Sequence, residues 1–469
     1  MNVRYKKYDV VIVGTGPAGI FAALELTRSA DLRILMLEKG KDLNLRKCPA
    51  IGRNITCPPC IPCGLVSGWG GAGAFSDGKL TLSPHVGGHL ESYLGTEKTT
   101  ELVQYVDDIY LRFGASEEIY GIKDEVDGLI KKAEEARLTL IPMAVRHMGT
   151  ERCLDVLRAM RDFLKDKVEC QTDMAATSIV VEDGVVKGVE TEEDIQIDSR
   201  FVIIAPGREG ADWLLKEAGR LGLTLHNNPV DIGVRVEVPI EVLGALTDAL
   251  YEVKLEYRSP TFGNKVRTFC MCPAGEVTME TTGGEDSVLT VNGHSYFSRK
   301  TKNTNFALLV SANFSPPFRE PIAYGKNVAR LANMISGGVL VQRWGDIVAG
   351  HRSREQSIAE NSVKPTLKSA MPGDLSFVLP HRIMWSIIEM LDAMDKMAPG
   401  IMHPDTLLYG VEVKFYSSRL ELSKNLETEV TNIFAVGDGA GVTRGLIQAA
   451  ASGVVAAREI GKRVKKSGK

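Results

Sequence analysis

No apolar run in this sequence approaches the roughly 18 residues that a bilayer-spanning helix needs, which argues against a transmembrane segment. Excess charge is equally scarce. Fifty-six Lys and Arg stand against 59 Asp and Glu, a net charge of −3, so nothing global points to nucleic acid or to an anionic membrane surface. The first apolar run is short, begins after Asp9 and lacks the form of a secretory leader, and the expected location is therefore cytoplasmic. Neither internal repeats nor low-complexity segments are visible, which excludes solenoids and linker-rich architectures. There are only eight cysteines, and in a reducing compartment they are expected as thiols, metal ligands or redox groups rather than structural disulfides. What remains is globular composition, 44% hydrophobic and 25% charged over 469 residues, enough for two or three domains. The basic tail Lys462 to Lys469 is expected to be a solvated end.

The most informative stretch is Tyr8 to Glu38. Asp9 to Val13 has strand composition and stops at Gly14-Thr15-Gly16-Pro17-Ala18-Gly19, after which Ile20 to Arg28 reads as a helix. This is G-x-G-x-x-G between a strand and a helix, the setting in which it binds a dinucleotide. Gly14 permits the tight turn, Gly16 lets backbone approach a pyrophosphate, and Gly19 allows close helix–strand packing. Pro17 and Ala18 open a helix whose N-terminal N–H groups and dipole face the phosphates. A second apolar run, Ile34 to Leu37, ends in Glu38, 19 residues beyond Gly19, followed by Lys39. A carboxylate there can accept a hydrogen bond from the adenosine ribose and disfavours a 2′-phosphate.

Near the other end, Ile433-Phe434-Ala435-Val436-Gly437-Asp438 is another buried-strand run, followed by Gly-Ala-Gly and a small-residue helix from Leu446 to Ile460. The pair of motifs resembles the two-part signature of FAD-binding oxidoreductases of the glutathione-reductase-like type. The resemblance implies FAD as cofactor, Asp438 as the ligand of the flavin ribityl chain, and Gly437, Gly445 and Leu446 beside the pyrimidine end of the ring. Phe201 to Gly207, a strand ending in a tight turn at Gly207, resembles the third strand of that superfamily, near the adenine half. More closely, residues 70–79, 231–237 and 268–273 resemble a widespread family of uncharacterised FAD-dependent dehydrogenases, whose reaction is not carried over.

The expected fold class is α/β: a Rossmann-like FAD-binding domain, with a parallel sheet and β-meander, and an inserted α+β substrate domain. The first part of the FAD domain is expected over 1–225, the substrate domain over 226–410, and the C-terminal part over 411–469. Helical spacing marks Thr99 to Phe113, Glu125 to Ala136, Thr150 to Lys165 and Ala211 to Gly219, and the stretch from Ser178 to Ile197 reads as an antiparallel meander. From Pro229 the pattern is strand-rich. Only one dinucleotide fingerprint is present, so NAD(P)H, if it is the reductant, is expected to visit without a Rossmann domain of its own. That layout looks more like the succinate dehydrogenase, geranylgeranyl reductase and aromatic hydroxylase branches than the disulfide reductases.

Between Glu38 and Lys79 lies a long Pro- and Gly-rich stretch, and irregular loops of that length inside compact enzymes are usually functional. Its Gly-rich half, with Gly71, Ala72 and Gly73, would let backbone lie flat against a flavin. Its other half carries Cys48, Cys57, Cys60 and Cys63 at C-x8-C-x2-C-x2-C spacing. These four read three ways: ligands of an iron–sulfur cluster or zinc, a flavin-linked dithiol, or buried small hydrophobes in a Pro-braced loop. Cys270 and Cys272 form a second pair, at a spacing less suited to one metal. Asp77, Lys79 and Arg444 are the candidates for catalysis at the flavin edge. Arg235, Arg267, His351, Arg352, His381 and Arg382 could clamp a carboxylate or phosphate. The favoured function is an FAD-dependent oxidoreductase acting on a small organic substrate. The competing expectations are an electron-transfer flavoprotein whose partner is another protein, and a flavin monooxygenase.

Overall fold

The computed structural model describes residues 6–29, 31–49, 60–76, 78–122, 125–193, 195–226, 229–281, 287–295, 300–314, 318, 320–414 and 419–467. Two compact units emerge. The first comprises Met1–Glu118, Arg146–Asn228 and Ser417–Lys469, and the second Ile119–Val145 and Pro229–Tyr416.

At the centre of the first unit lies a parallel sheet. Strands Glu169–Gln171, Ile34–Leu37, Lys6–Val13 and Gln196–Ile204 follow one another in that order, and all pair in parallel. Val10, Val11, Ile12, Val202, Ile203 and Ile204 are fully buried, as two-sided packing of a parallel sheet demands of β-branched runs. Gln196–Ile204 is long enough to serve two partners along its other edge. Its first residues pair antiparallel with Val185–Thr191, which continues into Ala176–Glu182 as the meander, while Val202 to Ile204 pair in parallel with Ile433–Ala435. The helix Pro17–Ser29 packs on the last helix, Leu446–Ser467. A Cβ on Gly453 would lie 2.0 Å from the Ala18 carbonyl oxygen, so a glycine is required for that approach.

The second unit is built on an eight-stranded sheet. Its order is Met371–Pro372, Leu340–Arg343, Leu407–Lys414, Val230–Pro239, Asn303–Ala312, Lys265–Cys272, Leu255–Arg258 and Thr139–Leu140, antiparallel except for the first pair. Strict alternation along Val230–Pro239 sends Val230, Ile232, Val234, Val236 and Val238 into an apolar core shared with helices Ile240–Leu250 and His381–Met397. Asp231, Arg235 and Glu237 alternate with them and are also fully buried. The hairpin Glu276–Thr281 and Leu289–His294 reaches this polar face, where Gly293 lies so close to Arg235 that a Cβ would be 2.1 Å from its guanidinium. Among the described residues, no helix is long and apolar enough to cross a membrane.

Candidate functional site

The fingerprint turn leaves the first strand at Gly14, where φ is +103° and a Cβ would stand 2.1 Å from the Ala205 carbonyl oxygen. Only glycine can make that turn. Gly16 differs, because a Cβ there would enter open space, with Gly71 Cα, at 3.9 Å, as its nearest neighbour. The helix begins at Pro17, so the N–H groups of Ala18 and Gly19 lie in its first turn, where no intrahelical acceptor exists. Open space above Gly16 and unpaired N–H groups at a positive helix end fit a pyrophosphate.

Glu38 ends the second strand with its carboxylate buried and fully engaged. Oε2 accepts the Thr15 backbone N–H at 3.0 Å and the Thr15 hydroxyl at 2.8 Å, while Oε1 accepts the N–H groups of Gly40 and Gly68, each at 2.9 Å. A carboxylate offers about four acceptor positions. In this arrangement a ribose hydroxyl would have to displace a protein donor, and the evident work of Glu38 is to tie the fingerprint turn to the Gly-rich loop. Lys39 is held by the turn after the Gln196–Ile204 strand, its Nζ donating to the Glu209 carbonyl at 3.3 Å.

The Gly-rich loop is shaped by a residue that sequence reasoning passed over. Arg46 is buried and spans the loop, with Nε donating to Gly64 O at 3.0 Å, Nη2 to Leu65 O at 2.7 Å, and Nη1 to Trp69 O at 2.6 Å and Gly71 O at 2.9 Å. Its guanidinium also sits 4.9 Å from the centre of the Phe75 ring. Burial lowers its pKa to about 10, partly offset by Glu38, and it remains charged at neutral pH. Gly70 N–H reaches the Thr15 carbonyl at 2.9 Å, and Gly71, at φ +58°, faces Gly16 so closely that a Cβ would be 3.0 Å from Gly16 Cα. Gly73 lies against Leu446, and Ala72 precedes it in the 3₁₀ turn Gly71–Phe75. Pro17, Gly73 and Leu446 line a small apolar cavity together with Tyr110, Cys153 and Leu157.

The late motif closes the same unit. Gly437 has φ +77° and donates its N–H to the Ser452 hydroxyl of the last helix at 3.0 Å. Half-buried Asp438 accepts the Thr443 hydroxyl at 2.7 Å on Oδ1, and its Oδ2 has no hydrogen-bond partner among the described residues, which suits a carboxylate awaiting a hydroxyl donor. A Cβ on Gly439 would be 2.4 Å from Gly207 O, so the Gly207 and Asp438 turns pack together. Gly445 approaches Gly87, whose carbonyl accepts the Arg444 N–H at 2.8 Å, and the Arg444 side chain lies 3.2 Å from His89 Nε2. Gln448, buried at the start of the last helix, donates to the carbonyls of Pro84 and Val86, each at 3.0 Å. Lys79 is half-buried in the short strand Lys79–Thr81, and Asp77 lies outside the described residues.

Of the three readings of the four cysteines, the metal-site reading has no ligand set among the described residues, where no three His, Cys, Asp or Glu side chains gather. Cys60 is exposed, Cys48 and Cys63 are half-buried, and all three are free thiols, while Cys57 lies outside the described residues. The cationic clamp expected in the second unit is likewise dispersed. Arg235 is fully buried in a two-pronged pair with Glu412, at 2.8 and 3.1 Å, and Arg267 pairs with Asp231 at 2.7 Å. His351, Arg352, His381 and Arg382 are exposed, the last donating to Phe262 O at 3.1 Å.

Residues 229–415 match the family model described as "FAD-dependent protein, C-terminal domain-like". An uncharacterized protein of Clostridium beijerinckii is 28% identical over 479 residues, covering 96% of this chain and 80% of that protein. Among solved structures, a geranylgeranyl bacteriochlorophyll reductase-like protein from Thermoplasma acidophilum is 12% identical at a TM-score of 0.37, covering 99% of this chain and 80% of that one. L-proline dehydrogenase from P. horikoshii is 11% identical at 0.39, covering 98% and 94%. Likenesses at that level do not extend to the roles of individual residues.

Proposed function

We propose that this protein is an FAD-dependent oxidoreductase acting on a small organic substrate. The observation that carries the reading is the pairing, within one unit, of the open Gly16 turn at a helix N-terminus with the half-satisfied carboxylate of Asp438. The match of residues 229–415 to an FAD-dependent family supports it. Bound FAD would supply the acceptor and donor of a hydride or electron pair.

The chain's own residues bind and position. The N–H groups of Gly16, Ala18 and Gly19 would hold the pyrophosphate, and Asp438 would accept from a ribityl hydroxyl. Glu38 through Gly68, and Arg46 through Gly71, keep the Gly-rich loop on the fingerprint. Lys79 and Arg444 are assigned to placing positive charge or moving a proton at the reacting end. The second unit is assigned to substrate recognition. NAD(P)H is the reductant to test first, used without a second dinucleotide fingerprint.

Purified protein should be yellow and release FAD on denaturation, identified by chromatography against FMN and riboflavin standards. Protein that contains no flavin, and gains none on incubation with FAD, would refute the reading.

A further inference from the structure

Outside the fingerprint, a cluster of reactive groups lies on the polar face of the second unit's sheet. The strand Lys265–Cys272 carries a bulge: Phe269 pairs with Ala307, but Cys272 pairs with Asn305, so one extra residue is inserted. Cys270 takes it up with φ +42°, a left-handed conformation that non-glycine residues seldom hold and that recurs at functional sites. Met271 turns into the apolar core, and Cys272, 1% exposed, faces the polar side. Its thiol donates to the Cys270 carbonyl at 3.3 Å, so the second sulfur lies at the backbone of the first.

Cationic and donor groups surround the pair. Arg235 donates to the same Cys270 carbonyl at 3.1 Å and to Asn305 Oδ1 at 2.7 Å. Lys414 adds a second cation, 3.2 Å from Glu412, with Glu280 at 4.0 Å toward solvent. Asn305 Nδ2, on the register partner of Cys272, is buried without a hydrogen-bond partner among the described residues. A buried donor left open costs free energy unless an acceptor arrives, and a sulfur anion is one. Cys270 is half-buried whereas Cys272 is buried, which makes Cys270 the more accessible residue of the pair.

We infer that Cys270 and Cys272 form a thiol–disulfide exchange site for small-molecule disulfides, with Cys270 as the attacking and Cys272 as the resolving thiol. The Cys270 thiolate attacks one sulfur of the disulfide, that S–S bond breaks, and the departing thiolate takes up the proton Cys270 released. The Cys272 thiolate then attacks Cys270 Sγ, forming the intramolecular S–S bond and displacing the second small thiol, which is protonated in turn. One disulfide is reduced to two thiols, the protein dithiol loses two electrons, and no other oxidant is needed. Arg235 and Lys414 share Glu412, and the positive charge left over by that network offsets part of the developing sulfur charge. The inference is independent of flavin binding in the first unit.

The test uses the full chain, incubated native with oxidised glutathione, then unfolded, alkylated and read by peptide mass spectrometry. The peptide carrying both cysteines is expected to resist alkylation and to lack the mass of two hydrogen atoms. Cys272→Ser should trap a glutathione adduct on Cys270, and Cys270→Ser should leave Cys272 reduced. The inference is overturned if the native pair stays fully alkylatable after oxidised glutathione, or if Cys272→Ser carries no adduct on Cys270.

Discussion

Glu38 grips Thr15 twice, through its backbone N–H at 3.0 Å and its hydroxyl at 2.8 Å, while its other oxygen holds Gly68 at 2.9 Å. One buried carboxylate thus joins the fingerprint turn to a loop 30 residues further along. Glu38→Gln would set an amide N–H₂ against N–H donors that now share a charge. The expected loss is about 2–3 kcal/mol of stability, from charged hydrogen bonds replaced by unsatisfied donors. Urea unfolding of flavin-free protein checks this, and an unmoved midpoint would show that the network does not hold the loop.

Gly14 and Gly16 are expected to fail in different ways. A Cβ on Gly14 meets the Ala205 carbonyl at 2.1 Å with φ at +103°, so Gly14→Ala should cost at least about 2 kcal/mol of stability whether or not flavin is present. Gly16→Val should fold, because an added Cβ meets no atom nearer than 3.9 Å, but should lose flavin. The ratio of flavin to protein absorbance, read beside the melting temperature, separates the two outcomes. A Gly16→Val protein with full flavin occupancy would remove the pyrophosphate assignment.

Arg46 reaches five backbone carbonyls with a rigid fork, and a lysine ammonium cannot span them. Arg46→Lys is expected to weaken FAD binding at least about tenfold, or about 1.4 kcal/mol, by loosening the Gly70 to Gly73 backbone. Titration of apoprotein by flavin fluorescence quenching measures it. Unchanged affinity would confine Arg46 to a packing role.

Glu427 accepts both arms of Arg463 at 2.6 Å and the Asn432 N–H at 2.8 Å. Burial raises its pKa, but these donors outweigh burial and hold it below the ordinary 4.5. A carboxylate depressed in the folded state contributes stability above its unfolded pKa and loses it as pH falls through the folded value. The stability gap between wild type and Glu427→Gln should therefore be widest above about pH 5, on the order of 1 kcal/mol for a half-exposed pair, and should close as the pH falls below 4.5. Denaturation curves across that range test the sign; a gap that widens in acid would contradict it.

Several features of this protein were set by local sequence. The apolar runs 10–13, 34–37 and 201–204 are short and rich in branched or aromatic residues, as buried strands are, and the G-x-G-x-x-G turn follows from what glycine alone permits at Gly14. The meander and the long helices carried a clear period in their apolar residues. Helix Ile240–Leu250 and strand Thr139–Leu140 were not expected, the first because its apolar residues run nearly all round, the second because two residues carry no period.

What only the tertiary structure decided is how groups distant in sequence share one donor or acceptor. Nothing local marks Arg46 in a polar run as the residue that organises the loop from Gly64 to Gly71, because its acceptors are backbone carbonyls that every residue possesses. The same holds for Glu38, whose position foretold a ribose ligand but whose oxygens are engaged by four protein donors. C-x-C spacing was silent until a bulge put Cys272 beside Asn305 and both thiols beside a buried Arg235. Periodicity reports which face of an element is buried, whereas hydrogen-bond partners are chosen by register and by the folding of loops, and neither is written in any single stretch of the chain.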